Sequence, residues 1–204
     1  MPILSASLGL TRYRVVEDVP DSLWREAPKL LKDNAFRDID QTVDERSFGW
    51  CNIDNMLDMD WADSPPEKGQ YLCFSLRLDT RRIPPAVFKK HVLIALAQEL
   101  VQAKAEGKAF LSKDRRREIK DQVMLRLRAR SLPIPAVFDA VWSMQSRRIL
   151  FCSTNSKAKQ LFEDLFQTTF GLTLEPLTPF FLAMDMLGEA AASRLENLEP
   201  TSFI

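Results

Sequence analysis

Residues 137–177 read VFDAVWSMQSRRILFCSTNSKAKQLFEDLFQTTFGLTLEPL, and this run decides the fold class. Residues 137–145 and 147–154 are rich in β-branched and aromatic side chains around a short Gln145-Ser146 turn, so they predict two strands. Ser156 then caps a helix to Phe170, with Phe162, Leu165, Phe166 and Phe170 on its apolar side and Gly171 closing it. Residues 172–177 predict one more strand, and residues 188–198 a final helix. A ββαβ unit downstream of separate strands and helices favours an α+β protein, with antiparallel sheet segments, over a doubly wound parallel sheet.

Working outward, residues 8–16 (LGLTRYRVV) predict a first strand. Pro20-Asp21-Ser22 opens a helix, because Asp or Ser caps the free amides of a first turn, and Pro28 should interrupt or restart it. Residues 47–53 predict a second strand, 52–70 a long acidic loop with Pro65, Pro66 and Gly69, and 71–78 a third strand. Pro84-Pro85 starts the longest helix, about 85–106, with Gly107 as its stop. Val87, Phe88, Val92, Leu93, Ile94, Leu96, Leu100 and Val101 surround most of its circumference, which predicts burial on several sides. Ser112 caps a basic helix to about 131, ended by Pro133 and Pro135. The parts divide as 1–80, 81–132 and 133–204, or form one continuous domain.

A chain of 204 residues makes one large domain or two small ones, and 46% hydrophobic content is enough for a core. Cys51, Cys73 and Cys152 are dispersed, without CxxC spacing, and read as free thiols in a reducing compartment. The longest clean apolar run, 92–97, is far short of a membrane span. The first ten residues carry no positive charge ahead of their apolar residues, so they make a poor signal peptide. The expectation is a cytoplasmic, folded protein.

Lys and Arg number 28, as do Asp and Glu, so the formal net charge is zero. The charge is nevertheless polarised along the chain. Residues 1–70 carry −6, 71–102 +3, 103–130 +6 and 131–204 −3. Such asymmetry points to an acidic partner or to blocks that neutralise one another in the folded protein.

His91 is the only histidine and lies within the apolar helix. Neither a GxSxG turn nor a GxGxxG or GxxxxGK[ST] loop accompanies it, so no catalytic residue and no nucleotide cofactor is expected. Asp54, Asp58, Asp60 and Asp63 are clustered as carboxylates that hold Mg²⁺ in a nuclease are clustered. They lack EF-hand spacing, and Lys68 is the one local group able to act on an attacking water. A solvated acidic loop is the simpler reading, and no metal is expected; the nuclease stays as the alternative.

Residues 113–130 are the informative element. Ile119, Val123 and Leu127 form one apolar stripe at i, i+4, i+8. Arg115 and Arg126 lie on one flank and Arg117 and Arg128 on the other, with Lys113 and Lys120 closer to the second pair and Arg130 at the C-terminal end. Guanidinium forks suit phosphate oxygens, and their stems equally suit snorkelling and pairing with Asp114, Glu118 and Asp121. Aromatics do not interleave with these cations, which favours backbone contact with duplex over single-strand stacking.

Tyr13-Arg14-Val15, Phe48-Gly49-Trp50 and Arg82-Ile83-Pro84-Pro85 stand in order along the chain. Leu111-Ser112-Lys113 and Glu118-Ile119-Lys120-Asp121-Gln122-Val123 follow, then Trp142, residues 149–153, Asn155-Ser156-Lys157 and the 162–170 helix. In the order and spacing of these short pieces the chain resembles the bacterial recombination-associated RdgC family, from its first strand to about Pro179. The resemblance implies a non-enzymatic, nucleoid-associated DNA-binding protein that forms a ring-shaped homodimer. Double-stranded DNA passes through its basic hole without sequence readout, and the family restrains the recombinase RecA. Two departures stand out. Family chains run further at the C-terminal end, in a part that contributes to ring closure, so an open dimer or another oligomer is the alternative here. Leu132 stands where the family has an aromatic that reaches across the dimer, while Arg130 matches a basic position.

The expected phosphate contacts are Arg115, Arg116, Arg117, Lys120, Arg126, Arg128 and Arg130. Arg81, Arg82, Lys89 and Lys90 are secondary candidates. Trp50, Phe74, Phe88, Trp142 and Phe166 are expected to pack the interior. A protein-interaction module without DNA binding is the other alternative.

Overall fold

The aromatic residues of the ββαβ run become the centre of a packed layer in the computed structural model, which describes residues 3, 5, 7–107, 109–188 and 192–199. The elements are β1 (Thr11–Val15), α1 (Asp21–Asp33), β2 (Arg46–Cys51), β3 (Glu67–Lys68), β4 (Tyr71–Thr80), α2 (Pro85–Ala105) and α3 (Lys113–Arg130). They continue with β5 (Ile134–Ser143), β6 (Arg148–Phe151), α4 (Ser156–Phe170), β7 (Leu174–Pro176), α5 (Pro179–Leu187) and α6 (Ala192–Glu196). The strand order is β2-β4-β5-β6-β1-β7, with β3 paired to β4, and the β1–β6, β1–β7, β3–β4 and β5–β6 pairings are antiparallel. The protein is α+β. The chain divides into two compact units, one of residues 1–35, 49–77 and 137–204, the other of residues 36–48 and 78–136.

In the first unit, period-two alternation turns Leu72, Phe74 and Leu76 of β4, Ala140 and Trp142 of β5, Ile149 and Phe151 of β6 and Tyr13 and Val15 of β1 into one apolar cluster. Leu23, Ala27 and Leu31 of α1 and Phe162, Leu165, Phe166 and Phe170 of α4 complete that cluster. The Phe151 and Phe162 rings stack at 4.2 Å, and Trp142 meets Phe166 and Phe170 edge-on. Trp50 Nε1 donates to Thr169 Oγ1 at 2.8 Å, and the Tyr13 hydroxyl donates to Glu163 Oε1 at 2.7 Å. Burial, and then the Glu163 carboxylate, raise the Tyr13 hydroxyl well above its ordinary pKa, so it stays a donor.

β4 is also buried on its other face. Ser75 Oγ donates to buried Asp139 at 2.8 Å, and Arg77 donates to the Met56 carbonyl of the 52–66 loop. All three cysteines are buried, and none forms a disulfide among the described residues. Burial, followed by the Asp139 carboxylate, pushes the Cys152 thiol up to about 11.

Several local expectations shift. Pro28 lies inside an unbroken α1, because burying Leu23, Ala27 and Leu31 along one face outweighs one missing amide. Pro20 occupies the N-cap there without a side-chain bond, and Asp21 sits in the first turn, where its charge meets the helix dipole. At α4 the cap is Asn155 rather than Ser156: its side chain accepts from the amides of Lys157 and Ala158. Gly171 closes that helix at φ 68°, a left-handed conformation that glycine adopts without strain. A helix at 179–187 precedes the expected final one, of which residues 189–191 lie outside the described residues.

The second unit rests on a thinner core. Val92 of α2 and Ile119 and Val123 of α3 are its buried cluster, flanked by Phe88, Ala95, Leu96, Leu111 and Leu127. The expectation that α2 is buried on several sides is wrong. Only Val92 and Ala103 are buried, and Val101 is 69% exposed, with Leu93 and Ile94 also exposed. The reason is that α3 covers one side of α2, and apolar residues on its other sides face outward.

Candidate nucleic-acid interface

Helix α3 starts where Ser112 Oγ accepts from the Arg115 amide at 3.1 Å. Its apolar stripe then anchors it as expected, with Ile119 and Val123 buried and Leu127 partly so. That anchoring fixes where each cation points. Lys113, Arg116, Arg117 and Lys120 recur at i, i+3, i+4, i+7 and therefore share one face. With Phe110, Leu111 and Asp114 they line a surface cleft of about 620 Å³. All four cations are exposed, and none makes an ion pair among the described residues. Four positive charges against one carboxylate leave the cleft strongly cationic.

The other expected residues divide. Arg126 and Arg130 are exposed and border a small cavity with half-buried His91 of α2. Arg115 is held by its own molecule, 2.7 Å from Glu99 and 2.6 Å from Glu118, and these carboxylates raise its pKa further. Arg128 pairs with Glu45 at 2.5 Å. Arg82, Lys89 and Lys90 are exposed around the start of α2 and do not line the cleft.

Arg81 is corrected from a secondary surface candidate to an interior group. It is buried, and its guanidinium donates to the carbonyls of Arg128 (2.6 Å), Asp40 (3.1 Å) and Ile39. Three carbonyls converging on one guanidinium tie the 36–48 segment to the end of α3 and leave no fork for a phosphate.

Each carboxylate of the acidic stretch is engaged inside the first unit. Asp58 accepts from Asn52 Nδ2 and from the amides of Asp60, Ala62 and Asp63. Asp54 pairs with Lys68, Asp60 with Lys32, and Asp63 accepts from Asn55. Burial raises the Asp58 carboxyl, but its hydrogen bonds outweigh this and hold it below the ordinary value. No group of three or more metal-ligating side chains occurs among the described residues. The loop is built on its carboxylates.

Phe110 is the residue that sequence reasoning missed. It follows Gly107 in the α2–α3 turn and is 81% exposed on the rim of the cationic cleft. Its neighbour Leu111 packs on the α2–α3 core and Phe110 does not; a large aromatic two residues before an N-cap serine is the signal that marks it.

No helix among the described residues is long and apolar enough to cross a membrane. Compared with known proteins, the chain matches no family model and no curated sequence.

Proposed function

We propose that this protein binds double-stranded DNA without sequence specificity, carries out no catalytic step, and acts in DNA recombination by modulating a RecA-type recombinase at the nucleoid. The observation that carries the DNA reading is the set of unpaired cations on α3: Lys113, Arg116, Arg117 and Lys120 around one cleft, with Arg126 and Arg130 further along. Guanidinium and ammonium groups left without carboxylates on one helix match a row of phosphates. Arg115 and Arg128 are assigned to holding the helix, and Arg82, Lys89 and Lys90 to secondary phosphate contacts. The resemblance to the RdgC family supplies the recombination role, the RecA-type partner and the homodimer. The exposed apolar residues Leu93, Ile94 and Val101 of α2 support association of two copies.

The test is fluorescence anisotropy with two 30-base-pair duplexes of unrelated sequence. Six phosphate contacts lower the affinity about 10³-fold between 50 and 200 mM salt. Equal binding of both duplexes with that loss is the expected result. Binding that is flat in salt, or confined to one sequence, overturns the reading.

A further inference from the structure

The cationic cleft carries a feature that phosphate binding does not require. Phe110 stands 81% exposed on its rim, and half-buried Leu111 lies beside it. An exposed ring is unfavourable in water, and this one has no ring partner among the described residues. On the cleft side its surroundings are four cations and one carboxylate, and on the other side it borders a cavity of about 370 Å³ lined by Glu99, Glu106 and Arg115. Arginine and aromatic residues are common in protein–protein contacts and lysine is depleted there; Lys113 and Lys120 therefore count against a protein anchor, and four cations in one cleft call for an anionic ligand. A ligand suited to this cleft presents a flat, apolar face and negative charge within a few ångströms of each other. A nucleotide does both.

Intact duplex offers only half of that chemistry. Its phosphates are accessible, but each base face is covered by its neighbours in the stack. A base becomes available to a ring when it is unpaired and turned out. The volume of the cleft, about 620 Å³, falls within the usual range for small-ligand sites of about 300–1,000 Å³.

We infer that this cleft takes a single unpaired nucleotide, its base against the Phe110 ring and its phosphates on Arg116, Arg117, Lys113 and Lys120. The protein therefore prefers duplex DNA that carries an unpaired base to fully paired duplex. The inference rests on the DNA reading above and names the substrate feature that the site recognises. Asp114, on the cleft wall, sits one helical turn before Arg117; it repels a phosphate placed beside it and so favours phosphates on the Arg116 and Lys120 side.

The test uses the full chain and two fluorescent DNAs closed by hairpins at both ends, one fully paired and one with a central three-nucleotide bulge. The expected result is about tenfold tighter binding of the bulged DNA, the size of one base–aromatic stack. Phe110→Ala should remove that preference, so that the two DNAs bind equally, and Phe110→Trp should retain it. Equal wild-type affinity for the two DNAs, or a preference that survives Phe110→Ala, overturns the inference and leaves the duplex reading standing. Binding of the bulged DNA alone overturns the duplex reading and keeps the inference. Binding of neither overturns both.

Discussion

The two units use similar residue types in opposite ways. In the first, three charged side chains are turned inward: Arg77 holds a loop carbonyl, Asp139 takes Ser75, and Asp58 gathers three amides. In the second, Val92, Ile119 and Val123 are the buried cluster that docks α2 on α3, and most cations of α3 have no ion-pair partner among the described residues. The difference teaches that charge density alone does not mark a binding surface. What marks it is charge left over after internal pairing.

The comparison can be broken first through stability. Phe162→Ala empties a site bounded by Tyr13, Trp50, Phe151 and Phe166. It should cost about 3–5 kcal/mol in urea unfolding. Val123→Ala in the thin core removes two carbons and should cost about 1.5 kcal/mol. Equal losses would show that the second unit has a core as deep as the first.

A second route is pH. The folded Asp58 carboxyl is held below its ordinary value of 3.8, so its contribution is complete above that value and disappears as pH falls through the lower, folded one. The first unit should therefore lose stability on acidification, and Asp58→Asn should make that fall shallower while lowering stability at neutral pH. An unchanged acid profile in the variant would remove Asp58 as the organiser of the loop. The smallest effect concerns a helix end. Asn155→Ala should cost about 1 kcal/mol, and Ser156→Ala within about 0.5 kcal/mol, measured by thermal unfolding. The reverse order would return the cap to Ser156.

The α+β class and the ββαβ run were readable because Phe162, Phe166 and Phe170 repeat at helical spacing beside strands rich in aromatics. The stripe of α3 was readable for the same reason. The exposure of α2 was not, because a helix that is apolar all round reads as buried whether or not enough partners exist to cover it. Arg81 could not be told from Arg82, since only the fold brings the carbonyls of Ile39, Asp40 and Arg128 to one of them. Arg115 and Arg117 likewise look alike in sequence. Their difference comes from Glu99, sixteen residues upstream on the neighbouring helix.

That last pair supplies the most direct measurement: the slope of log affinity for random-sequence duplex against log salt, compared between variants. Each phosphate contact removed should reduce the slope by about 0.9. Arg116→Ala combined with Arg117→Ala should therefore flatten it by about 2, and Arg115→Ala should leave it unchanged. Equal slopes for the wild type and the double variant, or a larger change from Arg115→Ala, would contradict the assignment of DNA binding to the unpaired cations of α3.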